Sequence, residues 1–408
     1  MPRSWSLAAL AACVTVGLVA VPSPQPVTAA APQDDAKKKF KKDVEASIEK
    51  GLEYLKKIQA QDGHWEAQGG QYPTSMTALA GMAFLMEGST LKEGKYSDQV
   101  KKAVDWFLAP ARQQPNGMIG DVRNPTEQTR YMYGQGFGTM FLASVYGEEE
   151  DKEQREKLEK LLKKAVEFIC KAQTLKKHRK AEGKEVDIGG WGYVSAAEGN
   201  NFDEGSVTIT ALQGLRAARN AGIPVPKENI DRAVNYLEAC TTPKGGIIYS
   251  YAGGGGAVGE NGRPPLTAAA VCCGFSAGQY KSELPKRWIK YCKDNIPVGK
   301  GRQSHDEYQT YYFSQAVYAL GDDKYLEMFP LLKADGKTPK VYGDLTAGEK
   351  EQLLTWSGYK DATFQTILDN QDKTNGSWSQ GYIGPVYTTS INLCILQLEK
   401  AILPIYQK

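Results

Sequence analysis

Two adjacent carboxylic acids, Asp203 and Glu204, stand directly before an apolar stretch that begins near Ser206. A carboxyl group beside a second acid in an apolar cavity has a raised pKa and can hold a proton for a substrate. An aspartate before a helix is also a favoured cap, because its side chain accepts backbone N–H hydrogen bonds. The pair is therefore a candidate catalytic site or a structural cap, and the residue types allow both.

Tyrosines gather near the starts of several apolar stretches. Their ring faces could line a cavity and stabilise a cation, although large aromatic side chains also dominate ordinary cores. The residues expected to line a cavity are Tyr131, Tyr133, Tyr308, Gln309, Tyr312 and Tyr387.

Cleavage of a glycan would need a different constellation. It requires two carboxyl groups that face each other across a cleft, about 5 to 9.5 Å apart. Asp203 and Glu204 are neighbours in sequence and would point in different directions on a helix. The second carboxyl group would have to come from another part of the chain, and Asp306 and Glu307 are the best candidates.

The sequence lacks the residue patterns that usually bind metal ions or phosphate groups. The chain has 3 histidines, His64, His178 and His305, and an isolated histidine without a second ligand or a nucleophile is a weak candidate. The run from Gly253 to Gly256 lacks the lysine and Ser/Thr of a phosphate-binding loop. We therefore expect no metal site and no cofactor.

These residues belong to a unit that recurs along the chain. An amphipathic segment is followed by a glycine–aromatic turn and then by an apolar segment, and six copies can be traced. Alternating exposed and buried helices predict six helical hairpins in two concentric rings. Outer helices are predicted at 44–60, 98–109, 153–173, 228–240, 284–294 and 362–371, inner helices at 74–87, 129–145, 204–221, 265–279, 306–320 and 387–401, and inserted loops at 174–187, 253–265 and 330–361.

The turns Gln61–Trp65 and Asn375–Trp378 resemble the glutamine–tryptophan repeats of terpene cyclases, and the helix pairs resemble the prenyltransferase/squalene-oxidase repeat. This group includes squalene–hopene cyclases, oxidosqualene cyclases and the β subunits of protein prenyltransferases. The resemblance covers residues 44 to 403. It implies an all-α fold, an α/α toroid around a central cavity, and the C-terminal stretch is similar to that of secreted bacterial members of unassigned role.

The resemblance also implies site residues. In the cyclases, an Asp-x-Asp-Asp run before an inner helix carries the acid that protonates an alkene, and the third position of this run corresponds to Asp203. Asn201 and Glu204 depart from the pattern at the first and last positions, and the chain has room for one helical domain where cyclases of long polyenes have two. Against the prenyltransferases, Gln309 stands where their histidine zinc ligand would be, so zinc is not expected.

The N-terminus predicts export. Arg3 precedes an apolar run from Leu7 to Val21, and small residues follow up to Ala31. This is the pattern of a signal peptide over residues 1–31, so a secreted or periplasmic protein is expected. Lipoprotein anchoring at Cys13 is the less favoured alternative, because the apolar run continues past that cysteine.

The rest of the chain divides into a charged segment at 32–43, predicted to be disordered, and the toroid at 44–408. Lys+Arg 50 against Asp+Glu 47 is near balance and the charges are interspersed, so nucleic acid is not an expected partner. The six cysteines beyond the signal are expected to be buried thiols, although one disulfide is permitted. No segment beyond the signal is long enough in apolar residues to span a membrane.

Two classes of function follow from the sequence. In the first, an exported protein of this repeat group binds or acts on an apolar or isoprenoid-like ligand in its cavity, in the manner of a terpene cyclase if it is an enzyme. The alternative is a noncatalytic toroid that binds a protein or a glycan, or a carbohydrate-active toroid.

Overall fold

The computed structural model describes residues 31–149, 151–199, 202–252, 261–276, 282–298 and 306–406. These ranges contain fourteen α-helices and one short hairpin. The helices are α1 Ala31–Ile58, α2 Pro73–Glu87, α3 Ser97–Leu108, α4 Pro125–Val145, α5 Lys152–Ala172, α6 Gly205–Asn220, α7 Lys227–Ala239, α8 Pro264–Ser276, α9 Glu283–Asn295, α10 Asp306–Leu320, α11 Asp323–Met328, α12 Ala347–Glu351, α13 Trp356–Asp369 and α14 Pro385–Leu396. The strands β1 Lys176–Arg179 and β2 Glu185–Ile188 pair antiparallel.

Six helices form a closed inner ring. The helices α2, α4, α6, α8, α10 and α14 each contact the next one along the chain, and α14 contacts α2. They are buried on nearly all sides, as α2 illustrates, where the residues from Pro73 to Met86 are all buried. Such helices need a second layer to cover them.

The second layer consists of α1, α3, α5, α7, α9 and α13. In α5, the face that contains Leu158, Leu162 and Ile169 is buried, whereas most of the lysines and glutamates are exposed. The all-α toroid of six hairpins in two concentric rings is therefore confirmed.

One hydrogen bond recurs between each described turn and the inner helix that follows it. The backbone N–H in the turn donates to the side chain of a residue in the first turns of that helix, which fixes the helix relative to the turn. The five described pairs are Trp65 to Thr77 at 3.0 Å, Ile119 to Gln135 at 2.7 Å, Trp191 to Thr208 at 2.9 Å, Ile247 to Thr267 at 2.9 Å and Trp378 to Thr389 at 3.0 Å. We call these acceptors the anchor residues.

Three glutamines each tie a turn to a neighbouring outer helix. The side-chain amide donates to a turn carbonyl and to a carbonyl of that helix. The three bridges are Gln59 to Gly63 and Gln99, Gln173 to Gly189 and Asn229, and Gln371 to Gly376 and Ser47. Because Ser47 lies on α1, the last bridge joins the sixth hairpin to the first. The bridging residue of the first turn is Gln59 and not Gln61, with which the sequence motif begins.

The N-terminal segment differs from its prediction. Residues 32–43 were expected to be disordered, but α1 runs without a break from Ala31. Alanine and lysine have high helix propensity, so a high density of charge does not by itself prevent a helix. The contacts divide the chain into a short unit that ends at Lys42 and a second unit that begins at Asp43. Residues 1–30 lie outside the described residues, and the signal peptide, the lipoprotein alternative and export stay predictions.

The predicted insertions contain regular structure. Residues 174–187 were expected to form a loop, but most of them belong to the hairpin of β1 and β2. The segment 330–361 contains α12 and the start of α13, which begins six residues earlier than predicted because the Thr355 side chain caps it by accepting from the Gly358 N–H. In the insertion at 253–265, residues 253–260 lie outside the described residues, and so does the glycine run that was tested as a phosphate loop.

The ring closure at Gln371 can be tested by mutation. Its amide donates to the Ser47 carbonyl at 2.9 Å and accepts from the Ser47 hydroxyl at 2.8 Å. Gln371→Ala leaves these buried groups without partners, so we expect the free energy of unfolding in urea to fall by about 2–3 kcal/mol. Gln365→Ala, on the exposed face of α13, is the matched control and should change it by less than about 0.5 kcal/mol. Equal stability of the two variants would contradict this role.

Candidate functional site

The inner ring surrounds a cavity of about 730 Å³ at the N-terminal ends of its helices. The residue two positions before the anchor residue faces the cavity in each helix, and Tyr308 takes the same place in α10. These six residues are Ser75, Tyr133, Ser206, Pro265, Tyr308 and Tyr387. Because the anchor bond sets the register, one position in each repeat supplies the wall.

Glu204 is the fully buried acid on this wall, with 1% of its surface exposed. It caps α6, because its Oε2 accepts from the Val207 N–H at 2.9 Å and from the Ser206 hydroxyl at 2.5 Å. The Tyr133 hydroxyl donates to the same oxygen at 3.4 Å. Burial raises the pKa of Glu204, and these hydrogen bonds offset the rise only in part. The side chain can therefore be a neutral acid above the usual pH range of a glutamate.

Asp203 lies beside Glu204 in sequence but does not line the cavity. Its carboxylate is fully buried and forms an ion pair with Lys176 on β1, with Nζ 2.6 Å from Oδ2. Its Oδ1 accepts from the Tyr236 hydroxyl at 2.9 Å and from the backbone N–H of Tyr251 at 2.7 Å. With donors on both oxygens, Asp203 is a charged structural link between the β hairpin and the loop at 249–252.

The expectation that Asp203 carries the acidic proton therefore disagrees with the geometry. Its partners are all hydrogen-bond donors, and a proton on the carboxyl group would compete with Lys176. The alternative expectation was that Asp203 caps the following helix, whereas in the structure the Glu204 side chain caps α6. The two side chains point in different directions, as expected for sequence neighbours, and only Glu204 reaches the cavity.

Three of the predicted tyrosines line the cavity: Tyr133, Tyr308 and Tyr387. Burial raises the pKa of all three well above the ordinary value, so they are neutral hydroxyl groups. The Tyr308 hydroxyl is buried and has no hydrogen-bond partner among the described residues. It is therefore a polar group that a ligand or water could satisfy.

The other three predicted lining residues do not reach the wall. Gln309 is buried next to Tyr308 but lies about 100° further round the helix. Tyr312 lies one turn deeper in α10 and packs against the Tyr308 ring. Tyr131 is turned away, and its hydroxyl donates to Glu198 at 2.7 Å. The backbone of α4 is kinked at Arg130, and this change of direction brings Arg130 to the cavity in place of Tyr131.

The cavity mouth contains residues that the sequence did not single out. They are Tyr72, Arg130, Tyr193, Tyr249, Arg263 and Tyr382. For two of these residues, the sequence contains a repeated pattern that could have predicted their position. Tyr193 and Tyr249 end the repeated pattern Gly-Gly-x-x-Tyr in successive turns, and equivalent positions in a closed ring face the same space.

Of the remaining candidate residues from the sequence, some line the cavity and others do not. Glu307 lines the cavity, whereas Asp306 does not. His305 lies outside the described residues. Within the described ranges, no group of three or more His, Cys, Asp or Glu side chains is arranged to hold a metal ion. No disulfide joins any of Cys170, Cys240, Cys272, Cys273, Cys292 and Cys394 in this structure. None of the helices in the part of the chain that the structure describes has the length and apolar composition of a membrane span.

Comparison with known proteins shows the fold. No protein-family profile matches the sequence, and no curated protein does. Among solved structures, the α-1,6-mannanase of Salegentibacter sp. is similar with a TM-score of 0.55 and 10% identity, over 88% of this chain and 99% of that one. The cellobiose 2-epimerase of Bacillus thermoamylovorans gives 0.52 and 12%, over 90% and 100%. The type II terpene cyclase MstE of Scytonema gives 0.50 and 13%, over 89% and 99%. The chain thus shares the α/α toroid with enzymes of different chemistry, including a terpene cyclase as the sequence resemblance implied.

The structural role of Asp203 leads to a stability prediction. Asp203→Asn breaks a buried ion pair and leaves Lys176 without a counter-charge, so we expect a loss of about 3–5 kcal/mol in the free energy of unfolding. Asp187→Asn is the matched control, because the Lys177–Asp187 pair lies on the same hairpin with side chains 66% and 45% exposed. The control should cost less than about 1 kcal/mol. A loss no larger in Asp203→Asn than in the control would show that Asp203 is not the link described above.

Proposed function

We propose that the protein binds an elongated, largely apolar or isoprenoid-like molecule in its central cavity, with Glu204 as a neutral acid that contacts it. The observation that carries this proposal is the composition of the wall, in which tyrosine rings and apolar side chains surround one fully buried carboxyl group. The apolar members are Met76, Leu79, Phe137, Leu266 and Ile383. Each Å² of apolar ligand surface removed from water contributes about 25 cal/mol to binding before the costs of association.

Protonation of an alkene is not part of this proposal. That step needs a strong acid, and the raised pKa of Glu204 makes it a weaker acid than an ordinary glutamate. Asp203, which the cyclase pattern would use, is paired with Lys176. Glu204 suits a milder task, either the donation of a hydrogen bond to a polar group of the ligand or general acid catalysis near neutral pH.

A neutral Glu204 gives binding a pH dependence. A ligand that displaces water from the cavity must leave Glu204 uncharged, since an unsolvated carboxylate is costly. We expect farnesol, an uncharged probe, to bind with an affinity that falls as the pH rises through the raised pKa of Glu204. Glu204→Gln cannot ionise and should bind farnesol with the same affinity across this range. Isothermal titration calorimetry at a series of pH values measures both.

Glu307→Gln is the matched control for this experiment, because Glu307 lies on the same cavity wall and is less buried. It should keep the pH dependence of the unmodified protein. Loss of the pH dependence in Glu307→Gln but not in Glu204→Gln would contradict the role given to Glu204. Absence of farnesol binding at every pH would contradict the proposed ligand class.

A second function, action on a glycan, is favoured by one observation. Glu204 and Glu307 come from different hairpins and line one cavity, and general acid catalysis in glycoside cleavage uses a carboxyl group with a raised pKa beside a second carboxylate. Incubation with an oligosaccharide panel tests this function. Turnover that is lost in both Glu204→Gln and Glu307→Gln would replace the first proposal, and absence of turnover leaves the first proposal as stated.

A further inference from the structure

Two arginines at the cavity mouth are held in the same way. The guanidinium of Arg130, at the kink of α4, lies 4.9 Å from the ring centroid of Tyr193. The guanidinium of Arg263, directly before α8, lies 4.7 Å from the ring centroid of Tyr249. Stacking on a ring face is favourable for a guanidinium and restricts its motion. Both side chains line the cavity.

The two supporting rings are joined to each other. The hydroxyl groups of Tyr193 and Tyr249 are hydrogen-bonded, and these residues occupy equivalent places in successive repeats. Burial and this hydrogen bond raise the pKa of Tyr249, so it is uncharged and cannot neutralise an arginine. The joined tyrosines therefore form one platform on which both Arg130 and Arg263 stack.

In the described part of the chain, neither guanidinium has an acidic partner. Among the described residues, no carboxylate forms an ion pair with Arg130 or Arg263, and this includes Glu307 on the same wall. Arg112, by contrast, is paired with Asp121 at 2.6 Å. Two guanidiniums that stack on tyrosine rings, share a cavity and form no ion pair with any described carboxylate favour binding of an anion.

Glu307 makes the distribution of charge at the cavity mouth asymmetric. Its carboxylate lies against Gly381 on the segment that contains Tyr382. Burial raises the pKa of Tyr387, and the charge of Glu307 adds to this rise. An anionic group entering the cavity is repelled from this position and attracted to the arginine pair. The charges of the mouth are thus positive at the tyrosine platform and negative at Glu307.

We propose that Arg130 and Arg263 bind the anionic head group, a carboxylate or a phosphate monoester, of a ligand whose apolar body fills the cavity. Arginine suits either group because its N–H fork matches two oxygens at once. This inference rests on the proposed function, since it adds a head group to the apolar ligand named there. It narrows the ligand class from apolar molecules in general to amphipathic acids.

Three probes with the same 15-carbon chain test the inference: farnesol, farnesoic acid and farnesyl monophosphate. We expect the two anionic probes to bind the unmodified protein at least about tenfold more tightly than farnesol, with an advantage that shrinks as salt is added. Arg130→Gln and Arg263→Gln should each lose most of this advantage, measured as the ratio of the anionic-probe affinity to the farnesol affinity of the same variant. Farnesoic acid and farnesyl monophosphate, compared with each other, distinguish a carboxylate from a phosphate site.

Arg123→Gln is the control, because Arg123 is 74% exposed and pairs with Asp121 outside the cavity. It should keep the preference for anionic probes. Equal affinities of the three probes for the unmodified protein would overturn the head-group site and leave the cavity function intact. Failure of all three probes to bind would instead contradict the proposed function and the inference with it.

Discussion

The structure depends on one hydrogen bond that is repeated around the ring, from a backbone N–H in each described turn to an anchor residue in the next inner helix. A single such bond contributes only about 1 kcal/mol net, but a buried donor without its partner costs about 1–3 kcal/mol. Because of this cost, the bond fixes which residues of each inner helix face the turn and which face the cavity. Once it forms at Thr77, Thr208, Thr267 and Thr389, the residue two positions earlier must face the axis of the ring.

The acid pair shows how this register separates two similar side chains. Glu204 precedes its anchor residue, Thr208, by one helical turn and caps the helix from the cavity side, with its backbone carbonyl accepting from the Thr208 N–H at 3.0 Å. Asp203 points the other way, into a set of donors led by Lys176. The same chemical group therefore lines the cavity at one position and forms a buried ion pair with Lys176 at the next, and the direction of the side chain decides which.

The fold could be predicted from the sequence because every hairpin repeats the same local signals. Amphipathic and apolar helices alternate at a regular spacing, so the predicted inner helices 306–320 and 204–221 coincide closely with α10 and α6. The short hairpin at 176–188 could not be predicted, because its strands are four charged or alternating residues long and are held partly by the Lys176–Asp203 ion pair. That contact joins residues 27 positions apart.

The site was only partly predictable, because repeated positions can be found in the sequence but long-range contacts cannot. Tyr133, Tyr308 and Tyr387 could be found because they repeat at the starts of inner helices. Arg130 could not be found in this way, because it faces the cavity through a kink inside α4 that no residue type in the sequence predicts. Asp203 was chosen as the acid from a family pattern, and no local sequence signal revealed its tertiary contacts with Tyr236 and Tyr251. Sequence repeats therefore locate residues of the cavity wall more reliably than they assign a chemical role to each residue.

The central claim is that Glu204 is a protonatable acid on the wall of the central cavity. The most direct measurement is an NMR titration of carboxyl ¹³C shifts in the full-length protein, with the Glu204 signal assigned by its absence in Glu204→Gln. The account predicts a midpoint clearly above the ordinary glutamate value of 4.5, because burial disfavours the carboxylate. A midpoint at or below 4.5 would show that Glu204 is an ordinary capping carboxylate and would contradict the account.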